Sequence, residues 1–476
     1  MELTYPMIVA GATIVVVGSG AAGLSAALAA AEAARSGTGR CRIVLIDRAP
    51  NGQHGGNTRW SPSYMRMAAP DRVAPDFEAS VQAASSGRAD PAYFRRLSEE
   101  APAAIDWLAH HGVTFHQPVY YLSAGSARIQ PVGGGNAILA ALEGAARAAG
   151  VDIRYEVRAE RLLCGSDGGV VGVEVRLGNG ALELIGACAV VLACGGFAGN
   201  GEMLGQHIGA GAESLQPISP GTRFNTGDGI CMALAAGAQP SGDWQGMHVE
   251  PVDPRSRSSA AVALVYPYGI LVDRDGRRFI DEGGGLVHET WEQVARTIHL
   301  ATPGRIAYAI LDARLHEIPG YGRAIRSEVP PYQAGSIAEL ASSIGVAPQP
   351  LSETIARYNA AAVGDQASFD ATRADGLGSA PGLSPAKSNW CRPLDRPPYL
   401  AYPLIGAVAY TFGGLATNAD AEVLGPTGPI PALFAAGEIT GHFHSTAPNA
   451  VAVLRALVFG RIAGRGAVAS CRRTSL

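Results

Sequence analysis

Apolar and polar positions change pattern most sharply near the start of the chain. Five β-favouring residues at 13–17 lead into a G-x-G-x-x-G motif at 18–23, and an alanine-rich stretch with helical spacing continues to residue 34. A second apolar run, at residues 42–47, has the length of a buried strand and ends on an acid. The order predicts a strand, a tight glycine turn, a helix and a second strand.

Buried strands and amphipathic helices continue to alternate along most of the chain. Helices are predicted at residues 91–111, after Gly133 and from Asp228, and strands at residues 152–157, 170–177 and 190–196. In the tail, a strand at residues 432–440 stops on Gly437-Glu438, and residues 449–464 form a long apolar helix. Alternation of this kind is typical of an α/β fold with a parallel sheet, so we expect a Rossmann-like domain.

The order of predicted strands, helices and loops changes between residues 241 and 398. Residues 266–282 predict two strands around an Asp275-Gly276 turn, and helical segments and a loop rich in Pro, Gly and Ser follow. We interpret this block as a second, α+β domain inserted into the first. The predicted organisation is a nucleotide-binding domain at 1–240, the inserted domain at 241–398, and the C-terminal part of the nucleotide-binding domain at 399–476.

Composition narrows the class of protein. Hydrophobic residues make up 47% of the 476 residues and charged residues 16%, so a large core can form. A net charge of −4 argues against nucleic-acid binding. The seven cysteines are scattered and never spaced as C-x-x-C, which argues against a disulfide scaffold or a metal site. We see neither a signal peptide nor an apolar run of about 18 residues, and expect a cytoplasmic protein without a membrane span.

The glycine motif predicts dinucleotide binding because it stands between a strand and a helix. Gly18 allows the tight turn, Gly20 lets the backbone approach a pyrophosphate, and Gly23 lets the helix pack closely on the strand. The helix N-terminus offers free N–H groups to the phosphates. Asp47 ends the next strand, where an acid accepts hydrogen bonds from a ribose; an ordinary turn aspartate is the alternative.

Other glycine-rich loops predict further cofactor contacts. The polar segment at 53–60 offers Asn57, Thr58 and Arg59 as donors to a second phosphate or an isoalloxazine ring, and the strand at 190–196 stops on two glycines. The residues that we expect to bind the cofactor are Gly18, Gly20, Ala22, Gly23, Asp47, Arg48, Gly56, Asn57, Thr58, Arg59, Cys194, Gly195, Gly196, Thr226, Asp228, Gly437, Glu438, Asn449, Ala450 and Val453.

These motifs in this order resemble the flavoprotein subunits of succinate dehydrogenase and fumarate reductase over nearly the whole chain. The resemblance is carried by residues 18–23, 55–58, 193–196, 226–229, 277–282, 411–414, 436–438 and 459–464. Residues 266–272, 387–390 and 453–460 are most similar to FAD-dependent tricarballylate dehydrogenases. The resemblance implies an FAD domain, a capping domain, a substrate between them, and oxidation or reduction of a C–C bond beside a carboxylate or ketone.

The departures from the family pattern bear on the reaction. Fumarate reductases carry a proton-donating arginine at the position of Leu286 in this chain. They also carry an arginine that clamps the substrate, in the segment that matches residues 447–450, and those residues contain no arginine. Without these proton-donating and clamping arginines, fumarate reduction is not expected. Tyr410 also replaces the histidine of H-T-x-G-G. Asn57-Thr58 takes the place of the histidine that attaches flavin in many members, and we expect non-covalent FAD.

The segment from Gly441 to His444 also resembles the G-H-T-Y segment of 3-ketosteroid Δ1-dehydrogenases, whose tyrosine binds the substrate ketone. We expect Tyr410 to act as the base, and His444 or His248 to bind a carbonyl or carboxylate oxygen. A tyrosine with a pKa near 10 is a weak base at neutral pH unless cations or donors lower that pKa. A packing role for Tyr410, and ordinary structural roles for the two histidines, stay open. Tyr268, Tyr121 and Arg455 are further candidates for substrate contact.

The function expected from the sequence is an FAD-dependent dehydrogenase, or desaturase, that acts on a tricarballylate-like acid or a cyclic oxo-acid. The alternatives are a flavin-dependent reductase of an activated C=C bond and a flavin-bearing electron-transfer subunit. Because the sequence has one complete G-x-G-x-x-G motif, we expect electrons to leave to O2, a quinone or a partner protein rather than to exchange with NADH.

Overall fold

The computed structural model describes residues 13–36, 41–119 and 127–474. Its helices, in chain order, are α1 (Ala21–Arg35), α2 (Phe77–Ala84), α3 (Pro91–His110), α4 (Gly134–Ala148), α5 (Gly201–His207), α6 (Asp228–Ala235), α7 (Val287–Ala301), α8 (Ile337–Ile344), α9 (Pro348–Ala361) and α10 (Ala452–Thr474). Its strands are β1 (Thr13–Val17), β2 (Arg42–Ile46), β3 (Met67–Ala69), β4 (Arg72–Val73), β5 (Phe115–His116), β6 (Gln130–Pro131), β7 (Asp152–Arg154), β8 (Val157–Cys164), β9 (Val170–Leu177), β10 (Leu182–Gly186), β11 (Ala189–Leu192), β12 (Gln216–Pro217), β13 (Pro240–Ser241), β14 (Met247–Val252), β15 (Ile270–Val272), β16 (Ala307–Leu311), β17 (Tyr332–Ala334), β18 (Tyr399–Thr411), β19 (Gly414–Leu415), β20 (Glu422–Gly425) and β21 (Gly428–Ala435).

The first sheet is the predicted Rossmann-like core. Its strand order is β20-β21-β11-β1-β2-β7, and every neighbouring pair is parallel except β20 with β21. The short apolar runs predicted as strands are buried from both faces, which is typical of parallel sheets. The sheet confirms the α/β class. A separate antiparallel sheet, β10-β9-β8, follows β7.

Glycines in the C-terminal helix α10 allow it to pack tightly against α1. Helices α1 and α10 pack directly against each other. A Cβ atom on Gly460 would lie 2.4 Å from the carbonyl oxygen of Ala22, and one on Gly464 would lie 2.2 Å from that of Ala26. The backbones can approach this closely only because these positions lack side chains. Because positions 460 and 464 meet positions 22 and 26 in parallel, the N-terminus of α10 extends about two helical turns beyond the start of α1.

The second large sheet is built around the long strand β18. Strands β14, β16 and β17 pair with it antiparallel, β12 pairs with it parallel, and β15 extends the sheet beyond β16. Helix α7 packs on β14 and β18. Strand β18 begins at Tyr399, immediately after the predicted boundary at 398, yet pairs with strands of the capping segment. The domain limits themselves stay a prediction.

One local expectation needs correction. The predicted hairpin at residues 266–282 has one regular strand, β15, and beyond its turn a single bridge joins Val272 to Arg278; residues 266–268 form a 3-10 helix instead.

A disulfide that the sequence did not indicate joins Cys188 to Cys471. The pairing spans 283 residues and arises because α10 packs against β11, so no local spacing could reveal it.

The long C-terminal helix is interrupted by charged residues and is not a membrane span. Among the described residues, no helix combines the length and the apolar character that crossing a bilayer requires.

Candidate active site

The glycine turn between β1 and α1 forms one end of a long cavity. Gly18 has a φ of +105°, and a Cβ atom there would lie 2.4 Å from the carbonyl oxygen of Ala193. A Cβ atom on Gly23 would lie 1.8 Å from the Gly18 oxygen, so Gly23 serves close packing and does not line the cavity. Gly20 has only ordinary contacts around it and lines the cavity as the N-cap of α1. This arrangement leaves the helix N-terminus open to an anionic group.

Asp47 is fixed beside this turn. Its Oδ2 atom accepts hydrogen bonds from the backbone N–H (2.8 Å) and the hydroxyl of Ser19, and its Oδ1 atom accepts one from the N–H of Ala49 (2.8 Å). The Oδ1 atom can accept a second bond, and Asp47 lines the cavity. The carboxylate is therefore oriented by the backbone and can still accept hydrogen bonds from a ribose.

A charged cluster closes the same end of the cavity. Arg48 forms an ion pair with Asp228 (2.9 Å) and donates to the hydroxyl of Thr226, while Arg158 reaches the same Asp228 carboxylate (3.0 Å). All four residues line the cavity. Arg158 could not be predicted as part of this cluster, since it lies inside β8, away from every glycine loop.

The second predicted phosphate loop is a 3-10 helix at Gly56–Trp60. Thr58 lies next to the start of α1, with its hydroxyl 3.3 Å from the N–H of Ala21. The Asn57 side chain instead ties the loop to the segment between β12 and α6, because its Oδ1 accepts from the hydroxyls of Ser219 and Thr222 at 2.8 and 2.9 Å.

Arg59 differs from its neighbours in this loop. Its guanidinium donates to the carbonyl of His54 (2.6 Å) and to Asn136 Oδ1 (2.9 Å), and it does not line the cavity. The structure therefore gives Arg59 a role in holding the loop, whereas Gly56, Asn57 and Thr58 all line the cavity.

Glu438 occupies the middle of the cavity wall. Its carboxylate accepts from the N–H of Thr411 (3.1 Å) and from Asn225 Nδ2 (2.8 Å). Burial raises its pKa to about 7. A Cβ atom on Gly196 would lie 2.5 Å from Glu438 Oε1, so glycine is needed there, although Gly196 does not line the cavity.

The far end of the cavity meets the N-terminus of α10. Asn449, Ala450 and Val453 line it, as predicted from the sequence pattern. Arg455 lines it as well, although it is almost fully buried; it donates to the carbonyl of Thr440 (3.2 Å) and lies over the ring of Phe443 (3.8 Å).

Tyr410 and His248 come together because their strands pair. In the β14–β18 register they lie opposite each other, with a β-bulge between His248 and Val249. Their rings stack with centroids 4.8 Å apart, and both residues line the cavity. Within the described part of the chain the Tyr410 hydroxyl has no hydrogen-bond partner.

His248 is held between two carboxylates that the sequence analysis missed. Its Nδ1 lies 2.7 Å from Glu292 Oε2, and its Nε2 lies 3.1 Å from Glu250 Oε1. Burial disfavours the charged imidazole, but hydrogen bonds and charges from the two glutamates outweigh this effect and raise the pKa of His248 to about 9. At neutral pH the ring is therefore protonated and donates from both nitrogens.

The surroundings of Tyr410 oppose its ionisation. Burial, and then the negative charge of Glu292, raise the pKa of Tyr410 well above its usual value near 10. A tyrosinate base at neutral pH requires a shift in the opposite direction. The hydroxyl in this structure is a hydrogen-bond donor.

Four further residues line this part of the cavity and carried no recognisable motif: Tyr64, His288, Trp291 and Arg326. Arg326 donates to the hydroxyl of Tyr64 (3.3 Å). Burial, Arg128 and Arg66 lower the pKa of His288 to about 4, so its imidazole is neutral at pH 7. The helical spacing of His288, Trp291 and Glu292 on α7 marks one face of that helix, but only the fold shows that the face meets the site.

The remaining candidates lie elsewhere. His444 is half-buried near Arg88 and Asp243 and does not line the cavity. Tyr268 lies in the capping segment and donates to the carbonyl of Ala371 (2.8 Å). Tyr121 lies outside the described residues.

The predicted cofactor residues line this one cavity apart from Gly23, Arg59 and Gly196. An elongated dinucleotide fits the donor set: an open helix N-terminus at one end, an oriented acid beside it, and a second helix N-terminus at the other end. The binding roles of the individual residues stay predictions.

Comparison with known proteins identifies the family. The family described as "FAD binding domain" matches residues 13–451. "Probable fumarate reductase Ifc3" of Shewanella frigidimarina is 30% identical over 475 residues, covering 95% of this chain and 74% of that protein. The "4-oxocyclohexanecarboxylate 2-dehydrogenase" of Sinomonas cyclohexanicum is 32% identical over 358 residues, covering 70% of this chain and 60% of that protein.

Solved structures share the fold. The open conformation of a flavocytochrome c3 fumarate reductase aligns with a TM-score of 0.77 at 27% identity, covering 97% of this chain and 79% of that chain. A 3-ketosteroid-Δ4-(5α)-dehydrogenase from Rhodococcus jostii RHA1 aligns with a TM-score of 0.70 at 23% identity, covering 98% of each chain. The chain therefore belongs to the FAD-binding family of the succinate dehydrogenase and fumarate reductase flavoprotein superfamily and is an FAD-dependent oxidoreductase acting on CH–CH groups.

Proposed function

We propose that the protein dehydrogenates a C–C single bond next to the carbonyl group of an oxo-acid. The observation that carries the proposal is the wall formed by Tyr410, His248 and Glu250, which faces the same cavity as the FAD-binding loops. Such a wall combines a neutral donor for a carbonyl oxygen with charged groups that can hold a proton. The 32% identity to a 4-oxocyclohexanecarboxylate 2-dehydrogenase supports a cyclic oxo-acid, and a tricarballylate-like acid is the other member of the proposed substrate class.

Tyr410 binds the substrate oxygen in this proposal. Its hydroxyl has no hydrogen-bond partner in the described chain and keeps its proton because burial and Glu292 raise its pKa. A hydrogen bond from this hydroxyl to the substrate carbonyl stabilises the negative charge that develops on oxygen as the neighbouring carbon loses its proton. The proposal thus gives Tyr410 a donor role in place of the base role expected from the sequence.

The charged cluster around His248 receives the proton. The cluster contains one imidazolium and two carboxylates, so it carries a net charge of −1 at neutral pH and becomes neutral when it gains a proton. FAD, when bound, accepts the hydride from the adjacent carbon. The proton and the hydride together account for the two hydrogens removed. Trp291 and the stacked rings of Tyr410 and His248 give this wall an aromatic surface.

The test is anaerobic bleaching of the purified, FAD-loaded protein. The panel contains 4-oxocyclohexanecarboxylate, tricarballylate, succinate and cyclohexanone. We expect 4-oxocyclohexanecarboxylate to bleach the flavin fastest. We expect succinate not to bleach it, because this chain lacks the proton-donating arginine of fumarate reductases at Leu286 and their substrate-clamping arginine at residues 447–450. Failure of every panel member to bleach the flavin would falsify the dehydrogenase proposal.

A second candidate is reduction of an activated C=C bond. It is favoured by the protonation states of the wall, since both Tyr410 and His248 hold protons at pH 7. Several relatives carry reductase names, among them urocanate reductase and vinyl phenol reductase. Reoxidation of the dithionite-reduced protein by fumarate, urocanate or a cyclohexenone, faster than bleaching by any saturated acid, would favour this candidate over the first.

We propose that the electron acceptor is O2, a quinone or a partner protein. The proposal rests on the single nucleotide-binding fingerprint, because a flavoenzyme reduced by a pyridine nucleotide in its own second domain usually shows another. The rate of reoxidation of bleached protein by air and by a soluble quinone tests the first two acceptors.

A further inference from the structure

Glu250 differs from the other members of the His248 cluster because it both lines the cavity and has a carboxylate oxygen that makes no hydrogen bond within the described residues. Its Oε1 atom receives the hydrogen bond from His248 Nε2, and within the described residues its Oε2 atom has no hydrogen-bond partner. Glu250 lines the cavity, whereas Glu292 does not. Both carboxylates are largely buried, with side-chain exposures of 16% and 12%.

His248 itself has no free proton-accepting atom. Its two ring nitrogens are both occupied, one by each glutamate. The Tyr410 hydroxyl, on the paired strand β18, is held in its protonated form. Of the residues that form this wall, Glu250 is therefore the one that presents an acceptor lone pair to a substrate.

We propose that Glu250 is the catalytic residue that takes the proton from the carbon next to the substrate carbonyl, and that His248 and Glu292 position it. The proposal rests on the proposed dehydrogenase function. The C–H bond breaks, its proton forms an O–H bond on Glu250 Oε2, and the electron pair moves into the substrate, from which FAD accepts hydride at the adjacent carbon. The cluster changes from a net charge of −1 to neutral, so no buried charge is created.

The groups around Glu250 keep it ionised. Burial favours the protonated carboxyl, but the hydrogen bond and charge of His248, together with the charge of Arg326, lower its pKa below the usual value of 4.5. Glu292 from α7 keeps His248 charged, and Tyr410 faces the pair from β18 without a charge. A carboxylate with a low pKa is a weak base, but it suffices when a strong donor such as the Tyr410 hydroxyl binds the carbonyl oxygen.

The choice of Glu250 or His248 as the proton acceptor determines how the bleaching rate depends on pH. If Glu250 is the acceptor, it is ionised throughout pH 6 to 8, and the rate of flavin bleaching stays nearly constant in that range. If neutral His248 were the acceptor, the rate would rise about tenfold per pH unit up to pH 9, because its pKa is about 9. The two acceptors therefore predict different profiles for the same wild-type protein.

The experiment compares variants of the FAD-loaded protein in anaerobic single-turnover bleaching by 4-oxocyclohexanecarboxylate. We expect Glu250→Gln to lower the rate constant at pH 7 by about 100-fold or more, and Glu250→Asp to retain part of the rate because it keeps a carboxylate. Glu292→Gln should lower the rate less and alter the alkaline part of the pH profile. Glu289→Gln, on the exposed side of α7, is the matched control and should stay within about twofold of wild type.

Flavin affinity and the visible spectrum report whether the variants keep the site intact, and we expect both to be unchanged. Wild-type bleaching combined with an unaltered rate in Glu250→Gln would overturn the assignment of Glu250 and leave the dehydrogenase function standing. A tenfold rise per pH unit in wild type would assign the proton to His248 instead. A wild-type protein that no member of the panel bleaches would overturn both proposals.

Discussion

Replacing Tyr410 by phenylalanine removes a single oxygen atom from the proposed site. Within the described chain this hydroxyl makes no hydrogen bond, so its loss leaves no buried group without a partner. The ring that stacks on His248 at 4.8 Å is kept. We therefore expect the free energy of unfolding to change by less than about 0.5 kcal/mol, and the affinity for FAD to stay the same.

The expected catalytic effect is much larger than the effect on stability. A donor that stabilises a developing oxyanion in a buried site contributes about 2.7–4 kcal/mol, which corresponds to a rate loss of about 100- to 1,000-fold. Tyr410 meets the condition of burial, and its high pKa ensures that the donor proton is present at neutral pH. The loss should therefore appear in the bleaching rate constant at saturating oxo-acid, and it should be similar at pH 6 and pH 8.

The assay is anaerobic stopped-flow loss of the oxidised flavin absorbance, with thermal unfolding measured on the same preparation. Tyr402→Phe is a matched control, because Tyr402 lies on the same strand, is buried and does not line the cavity. Wild-type bleaching by Tyr410→Phe would refute the donor role. That outcome is also what the packing role left open by the sequence predicts, because phenylalanine keeps the ring that stacks on His248.

Further predictions concern the cofactor site, the fold and the electron acceptor. Gly20→Ala should fold but bind FAD more weakly, because its methyl group meets only ordinary contacts and enters the cavity; Gly23→Ala, which places a Cβ atom 1.8 Å from a carbonyl oxygen, should fail to give folded protein. Both outcomes are read from thermal melts and flavin titration. Cys188→Ser should lower the free energy of unfolding by about 2–4 kcal/mol through loss of the bond to Cys471, and wild type under reductant should match it in thermal melts. The pKa of His248 is raised from 6.5 to about 9, so its stabilising contribution is complete below pH 6.5 and is lost as pH rises through 9; the melting temperature should fall more over this interval in wild type than in His248→Gln. NADH alone should leave the flavin spectrum unchanged, and rapid anaerobic bleaching by NADH would contradict the inference from the single fingerprint.

The nucleotide end of the fold could be predicted from sequence because its determinants are local. The strand, the glycine turn and the helix occupy residues 13–35 without interruption, and each glycine has a steric reason that follows from its place in the motif. The α/β class, the FAD family and the strand and helix order are confirmed for the same reason. The hairpin at residues 266–282 was wrong in its second strand, because its turn residues were present while the partner of β15 is β16, some forty residues later.

The cofactor loops illustrate a limit of reading donors from composition. Asn57 and Arg59 both have polar side chains in the same loop, yet Asn57 bonds to Ser219 and Thr222 and Arg59 bonds to His54 and Asn136. The sequence predicts that the loop approaches the cavity. It does not predict which side chains are used to hold the loop in place, because their partners lie up to 352 residues away.

For a related physical reason, only part of the wall formed by Tyr410, His248 and Glu250 could be predicted from the sequence. Tyr410 could be singled out because it replaces a family histidine. His248 was a candidate without a supporting motif. No sequence pattern indicated the two acids that contact His248. Glu250 is separated from His248 by a β-bulge, and Glu292 lies on α7, 44 residues further along the chain. The charges of these acids keep His248 protonated, whereas burial, followed by the charge of Glu292, raises the pKa of Tyr410. The base role expected for Tyr410 from the sequence stays a prediction that these surroundings disfavour, and Glu250 is the acceptor that we propose in its place.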